Sequence, residues 1–434
     1  MKLKKIHVSR FFCILAALCA MAAMLFSGCA STEEWARVTI EQNYYRFDGD
    51  YSSLSNLKGL SVRQMVEKLD KYSAYYTREE YAAVTAENAG SRSGIGLTYT
   101  YSEGNGILLH SVVGNSPAKK AGLKAGDILL SASTGEHTVQ FNSSDDFSAF
   151  VGARKTGEEF SLHLKDGTSV TLAKANYTAS YASMYTNDSV YEIEYIGNKR
   201  AVKEYTGGIL QLPNNTAYIY LSQFYGGAAD EMAELIKKFN ALKCDTLILD
   251  LRDDGGGYVD LMARIGGRFT SGVVQGNAIA MKAVYKGGRQ EVAYCYNYSE
   301  NTVPAGTKVY AMANNNTASA SEALIGVLVS YDILQYENIF LSQYEGQVAK
   351  SYGKGIMQST FTKKPTDEVL KLTVAGIYWA MNDSNGNPVT IHDKGLTVED
   401  GCSVAAASDT IVNVGYDDEL EAVISKIVAD RAEN

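Results

Sequence analysis

Val309-Tyr310-Ala311-Met312, Asn314-Asn315-Asn316 and Thr317-Ala318-Ser319-Ala320-Ser321-Glu322 follow one another along the chain, and Ala323, Leu324, Val327 and Leu328 continue them at helical spacing. An apolar run, a polar turn and a periodic apolar stripe predict a strand, a tight turn and a helix. Ser319 then sits near a helix start, where unpaired N–H groups can meet developing negative charge. A serine hydroxyl is a weak nucleophile until a base lies within hydrogen-bond reach. Tyr352-Gly353-Lys354-Gly355-Ile356-Met357-Gln358 supplies a candidate base in Lys354, set between two glycines. An Ala/Ser run alone is a common helix start and Gly-Lys-Gly alone a common solvated turn, so the reading rests on their joint occurrence.

Working outward, Tyr218-Ile219-Tyr220-Leu221 reads as a strand, and Met232, Leu235, Ile236, Phe239 and Leu242 fall on one helical face. Thr246-Leu247-Ile248-Leu249 is continuously apolar, as a strand covered on both faces should be. This alternation predicts an α/β core with a mixed, mostly parallel sheet. That strand runs into Asp250-Leu251-Arg252-Asp253-Asp254-Gly255-Gly256-Gly257. Open α/β sheets place ligands at such strand ends, and glycines let backbone N–H groups approach a reacting atom. A phosphate loop would end in Gly-Lys-Ser/Thr, which is missing, so an oxyanion donor fits the turn better.

The first 29 residues read as a targeting segment. Lys2, Lys4, Lys5 and Arg10 precede an apolar run from Phe11 to Phe26, which closes on Ser27-Gly28-Cys29. That pattern resembles a bacterial lipoprotein signal, which implies lipidation of Cys29, export and a membrane anchor on the extracytoplasmic side. Taking those four basic residues from the 40 leaves 36 against 49 acids, a formal charge of −13. So acidic a chain excludes nucleic acid as a partner. Cys244, Cys295 and Cys402 are widely spaced, and His110, His137, His163 and His392 lack metal-ligand spacing, so neither a metal nor a cofactor is expected.

Residues 30–89 read as helical, with Thr77 as an N-cap and Glu80 three residues on. Residues 90–176 read as a β-rich domain, with strands at Gly96–Thr100, Ile107–Leu109, Ile128–Leu130 and Phe160–Leu164. Between them Ser116-Pro117-Ala118-Lys119-Lys120-Ala121-Gly122-Leu123 reads as a short helix with Pro near its first turn and Gly at its end. Gly122-Leu123-Lys124-Ala125-Gly126-Asp127-Ile128-Leu129 and Ser93-Gly94-Ile95-Gly96-Leu97 resemble the turn-and-strand signature and the carboxylate-binding loop of PDZ domains. The resemblance implies that Gly94, Ile95, Gly96 and Leu97 bind a peptide C-terminus. Residues 177–214 read as a connector and 215–430 as the core.

Taken in order, these motifs resemble the carboxyl-terminal processing peptidases (tail-specific proteases), a serine peptidase family with an inserted PDZ domain. The resemblance spans roughly residues 60 to 425. It implies a nucleophile at Ser319, a general base at Lys354, a supporting amide at Gln358, and oxyanion donors at the N–H groups of Ala320 and Gly256. It also implies that Leu370–Ala375 and Ile391–Leu396 form closing strands of the core, and that the partner is a protein or peptide with a free C-terminus. A neutral Lys354 near pH 7 requires a drop of roughly three pKa units, about 4 kcal/mol, which burial can supply. The chain departs from the family at Asp253-Asp254-Gly255, where Asn-Asn-Pro is common, and carries extra residues around 343–350. The competing expectation is a non-catalytic, peptide-binding envelope lipoprotein that keeps the peptidase fold as a scaffold.

Overall fold

The computed structural model describes residues 31–433, apart from 136, 198, 207–209, 408–410, 413 and 415–416. Cys29 and its targeting segment lie outside the described residues. Two compact units result. One holds the described part of Met1–Val84 with Val284–Gln290 and Ile356–Gly376; the other holds Thr85–Ala283, Glu291–Gly355 and Ile377–Asn434.

In the first unit, the expected helical stretch is broken. Helices Thr32–Asn43 and Val62–Glu67 are followed by the strand Ala74–Tyr76. Thr77 and Glu80 form the expected reciprocal cap, the Thr77 N–H donating to Glu80 Oε2 (2.8 Å) and the Glu80 N–H to Thr77 Oγ1 (3.2 Å). Ala74–Tyr76 pairs antiparallel with Glu368–Tyr378, which also pairs antiparallel with Ile356–Lys363. Leu370–Ala375 therefore belongs to this antiparallel sheet and does not close the core sheet, contrary to expectation. Tertiary pairing decides which sheet an apolar run joins, and its composition is silent on that choice. Ile391–Leu396 forms no strand at all.

The second unit is built on an eight-stranded sheet. Its strands are β1 (Ala182–Tyr185), β2 (Ser189–Ile196), β3 (Lys199–Thr206), β4 (Thr216–Leu221), β5 (Thr246–Asp250), β6 (Lys308–Ala313), β7 (Ile339–Gln343) and β8 (Ser403–Ala406). In space they run β3-β2-β1-β4-β5-β6-β7-β8. The five strands from β4 to β8 are parallel, and β1 to β3 add antiparallel at one edge. The stretch expected as a connector thus supplies three core strands. Its Tyr191 and Ile193 are buried and alternate with the half-buried Glu192 and Glu194, a short period-two signal obscured by the neighbouring Tyr, Asn and Gly residues.

Helices α1 (Ala228–Ala241), α2 (Val259–Thr270), α3 (Ala320–Ser330) and α4 (Asp418–Ala432) complete the core. Met232, Leu235, Ile236 and Phe239 of α1 are fully buried, whereas Leu242 caps the helix end and stays exposed. Every residue of β5 is buried, as its unbroken apolar run requires.

Residues 97–173 of this unit make a separate antiparallel sheet around Ile107, Leu109, Leu129, Phe147, Phe160 and Leu162. The expected short helix is present at Pro117–Lys120, with Ser116 as its N-cap. Ser91–Gly94 pairs with Ala175–Thr178, so the chain enters and leaves this segment through one two-stranded ribbon.

Candidate active site

Strand β6 ends at Ala313, and the chain reverses through Asn314–Thr317 before α3 begins at Ala320. The Asn314 N–H donates to Thr317 Oγ1 (2.9 Å), and Thr317 Oγ1 donates to the Leu251 carbonyl (2.8 Å). Ser319 occupies the corner with φ 62° and ψ −113°. A non-glycine residue rarely adopts that conformation, which costs of order 1–3 kcal/mol and persists only where its surroundings enforce it. The result is a strand–turn–helix elbow presenting a half-buried serine at a helix N-terminus. Ala320 follows at the first helical position, where the N–H has no partner within its own helix.

The glycine turn after β5 packs directly on this elbow. The Asp254 carbonyl accepts the Ala318 N–H (3.0 Å) and the Ser321 hydroxyl (2.8 Å). A Cβ added to Gly256 would lie 2.6 Å from the Ala318 carbonyl oxygen, 2.7 Å from Ala320 N and 2.8 Å from Ser319 Cβ. With φ at 91° as well, no other residue fits there without moving the nucleophile.

The Gly256 N–H, expected as an oxyanion donor, points elsewhere in this structure. It donates to Asp254 Oδ1 at 2.8 Å. Asp254 is fully buried and its Oδ2 has no hydrogen-bond partner. Burial pushes its carboxyl well above the usual range, against the opposing bond from Gly256. Pattern reading located the turn but could not place its N–H vectors, which depend on local backbone geometry.

Lys354 reaches the elbow through its own main chain. The Tyr352 N–H donates to the Thr317 carbonyl (3.0 Å). Glu322, at the third position of α3, is buried and collects four donors: Ser319 N–H (2.9 Å) and Lys354 N–H (2.9 Å) on Oε2, Gly353 N–H (2.7 Å) and the Ser351 hydroxyl (2.6 Å) on Oε1. Burial raises the Glu322 carboxyl pKa, opposed by those four bonds. The glycines flanking Lys354 are both required. Gly353 has φ 89°, and a Cβ there would lie 2.8 Å from Gly395 N; one on Gly355 would lie 2.9 Å from His392 Cβ.

Gln358 lies in the first unit, where its amide donates to Thr373 Oγ1 (3.2 Å) beside an irregularity in the strand.

Below the turn, Arg252 is wholly buried. It meets Asp250 (2.6 Å), Asp417 (2.8 Å) and Glu419, the last two at the start of α4. Tyr218 donates its hydroxyl to Asp250. The C-terminal helix is thus locked to the residue that begins the glycine turn. Glu322 was legible as the last member of a Ser-x-x-Glu capping pattern. The partners of Arg252 lie 165 and 167 residues away in sequence, and no local signal joins them.

A cavity of about 1630 Å³ in the second unit is lined by Gly94, Ile95, Gly96 and Leu97 at one part and by Gln223, Tyr225 and Asp253 at another. Gly94 (φ 140°) and Gly96 (φ 83°) give the loop its shape, and a Cβ on Gly96 would collide with Ser116 Cβ at 2.3 Å. Among the described residues no cluster of His, Cys, Asp or Glu could hold a metal ion, and no helix is long and apolar enough to cross a membrane.

An elbow-borne serine, a lysine fastened beside it through the main chain and a glycine turn thus meet in the α/β core. Residues 215–392 match the model of peptidase family S41. A protein of Staphylococcus saprophyticus named "Probable CtpA-like serine protease" is 24% identical over 377 residues, covering 86% of this chain and 66% of that relative. The carboxy-terminal processing protease CtpA of Bacillus subtilis is 25% identical over 360 residues, covering 82% and 65%. The chain therefore spans just under two thirds of the length of these relatives. A solved structure of a candidate S41 protease from Bacteroides fragilis aligns with a TM-score of 0.59 at 15% identity, over 91% of this chain and 97% of that one, and shows the fold alone. By these matches the chain is similar to serine proteases of family S41.

Proposed function

We propose that this protein is a serine endopeptidase of the cell envelope, with Ser319 as nucleophile and Lys354 as general base. The observation that carries the reading is the shared carboxylate: Glu322 Oε2 accepts the N–H of both Ser319 and Lys354, each at 2.9 Å. In this mechanism Lys354, in its neutral form, takes the Ser319 proton as Oγ attacks the peptide carbonyl. The same ammonium then returns the proton to the leaving amine, and water repeats the cycle on the acyl-enzyme. The Ala320 N–H faces the developing oxyanion, a donor typically worth about 3 kcal/mol. Gly256 joins it once its N–H leaves Asp254. Gln358 is assigned to support of Lys354 on the strength of its place four residues further on.

In the same reading, residues 90–176 are a PDZ domain whose Gly94–Leu97 loop binds the free C-terminus of a protein or peptide substrate. The left-handed glycines and the shared cavity support that assignment. Cys29 carries a lipid that holds the enzyme to the membrane on its extracytoplasmic side.

Peptide hydrolysis by the wild type and by Ser319→Ala, Lys354→Ala and Lys354→Arg tests the dyad. All three variants should fold and be inactive, the arginine because guanidinium keeps its proton. Turnover by folded Lys354→Ala would overturn the assignment. Comparing a peptide ending in a free apolar residue with its C-terminal amide tests tail binding, and mass spectrometry of the mature N-terminus tests lipidation. The engaged Gly256 N–H is the observation that favours the rival, a non-catalytic peptide-binding lipoprotein. That reading predicts tail binding without Ser319-dependent cleavage.

A further inference from the structure

We infer that Asp253 determines specificity, selecting substrates with a lysine or arginine side chain close to the scissile bond. This rests on the peptidase reading above. Asp253 is exposed, lines the cavity shared with the Gly94–Leu97 loop, and immediately precedes the residue whose carbonyl braces the nucleophile elbow.

Its carboxylate is held in place. Asn314 Nδ2 and Asn316 Nδ2, both from the turn leading to Ser319, donate to Asp253 Oδ1 at 2.8 Å each. The Asp253 N–H in turn donates to Asn314 Oδ1 (3.0 Å), and the backbone is left-handed with φ 60°. Both side-chain bonds fall on one oxygen, which leaves the other for a ligand in the cavity.

The charge on Asp253 is matched by neutral carboxamides. Three of the other four acids along the cavity wall are paired with cations, Glu192 with Lys119 (3.0 Å), Glu194 with Lys203 (2.9 Å) and Glu87 with Arg92 (2.5 Å), while Asp127 accepts the Lys124 N–H (3.0 Å). The nearest cation in sequence, Arg252, is buried and committed to Asp250, Asp417 and Glu419. A fixed, uncompensated anion beside the nucleophile turn attracts a substrate cation and repels an acidic side chain.

The test compares peptides that carry lysine, glutamine or glutamate in turn at each position flanking the bond cleaved. With wild-type protein, kcat/KM at one position should favour lysine over glutamine by about fivefold, the size a partly screened ion pair supplies. Asp253→Asn keeps a carboxamide-bonding oxygen and tolerates the left-handed backbone. It should bring the Lys/Gln ratio to about one, and rising salt should shrink the wild-type ratio in parallel. A Lys/Gln ratio that Asp253→Asn leaves unchanged, or no lysine preference at any position, overturns the inference. Binding of the same peptides to Ser319→Ala protein, followed by fluorescence anisotropy, separates the two readings. Absence of Ser319-dependent cleavage removes the peptidase reading, whereas the Lys/Gln binding ratio still decides Asp253.

Discussion

Ser319 and Lys354, 35 residues apart in sequence, offer their backbone N–H groups to one oxygen of the buried Glu322 carboxylate, each at 2.9 Å. A single side chain thus fixes the register between the helix that carries the serine and the segment that carries the lysine. Its other oxygen takes Gly353 N–H and the Ser351 hydroxyl, so all four donors depend on one group.

Replacing Glu322 should therefore cost both stability and activity. Glu322→Ala strands four buried or half-buried donors, at roughly 3 kcal/mol or more. Glu322→Gln keeps the volume but turns two of the acceptor positions into a donor, and should lower peptide cleavage by about a hundredfold while destabilising less. Urea unfolding and kcat/KM on one peptide measure the two effects. Wild-type cleavage by Glu322→Gln would show that the shared carboxylate does not position the pair.

The strained corner makes a second, opposite-signed prediction. Glycine adopts φ 62° without penalty, whereas alanine does not. Ser319→Gly should be more stable than Ser319→Ala by about 1 kcal/mol, with both inactive. Equal unfolding midpoints would mean that the corner relaxes once the hydroxyl is gone.

Arg252→Met should be strongly destabilising, by roughly 3–5 kcal/mol, because it leaves Asp250, Asp417 and Glu419 buried around no cation. Since α4 begins at these acids, hydrogen exchange should show that helix loosening first. Protection of α4 unchanged from wild type would contradict this.

Glu231 gives a pH dependence with a definite sign. It is fully buried and accepts the N–H groups of Tyr181 (2.7 Å) and Ala182 (3.0 Å) and the Tyr195 hydroxyl. Burial pushes its carboxyl up to about 7 from 4.5, against those bonds. The folded state then holds a proton that the unfolded chain releases, so its contribution is fully present below pH 4.5 and is lost as pH rises to about 7. The loss is at most about 3 kcal/mol. Stability measured at pH 5 and pH 8 should fall less in Glu231→Gln than in wild type. The same slope in both proteins would exclude Glu231 as the titrating group.

Much of the core was legible because its signals are local. The unbroken apolar run of β5, the Ser319 turn and the Gly-Lys-Gly segment each report a short-range constraint of strand burial, turn chemistry or backbone conformation. Hydrophobic periodicity and glycine placement follow from neighbours a few residues away, so a linear reading captures them. The sheet that Glu368–Tyr378 joins, the three strands hidden in the connector and the partners of Arg252 were not legible. Strand partners and buried ion pairs are chosen by which surfaces meet after folding. Tertiary packing likewise set Glu322 between serine and lysine by bringing the Lys354 N–H to its carboxylate. By itself the sequence determined which chemical groups this chain carries and the elbow that presents Ser319. Only the tertiary structure decided which donors those groups hold, because hydrogen-bond geometry at ångström scale comes from segments that are remote along the chain.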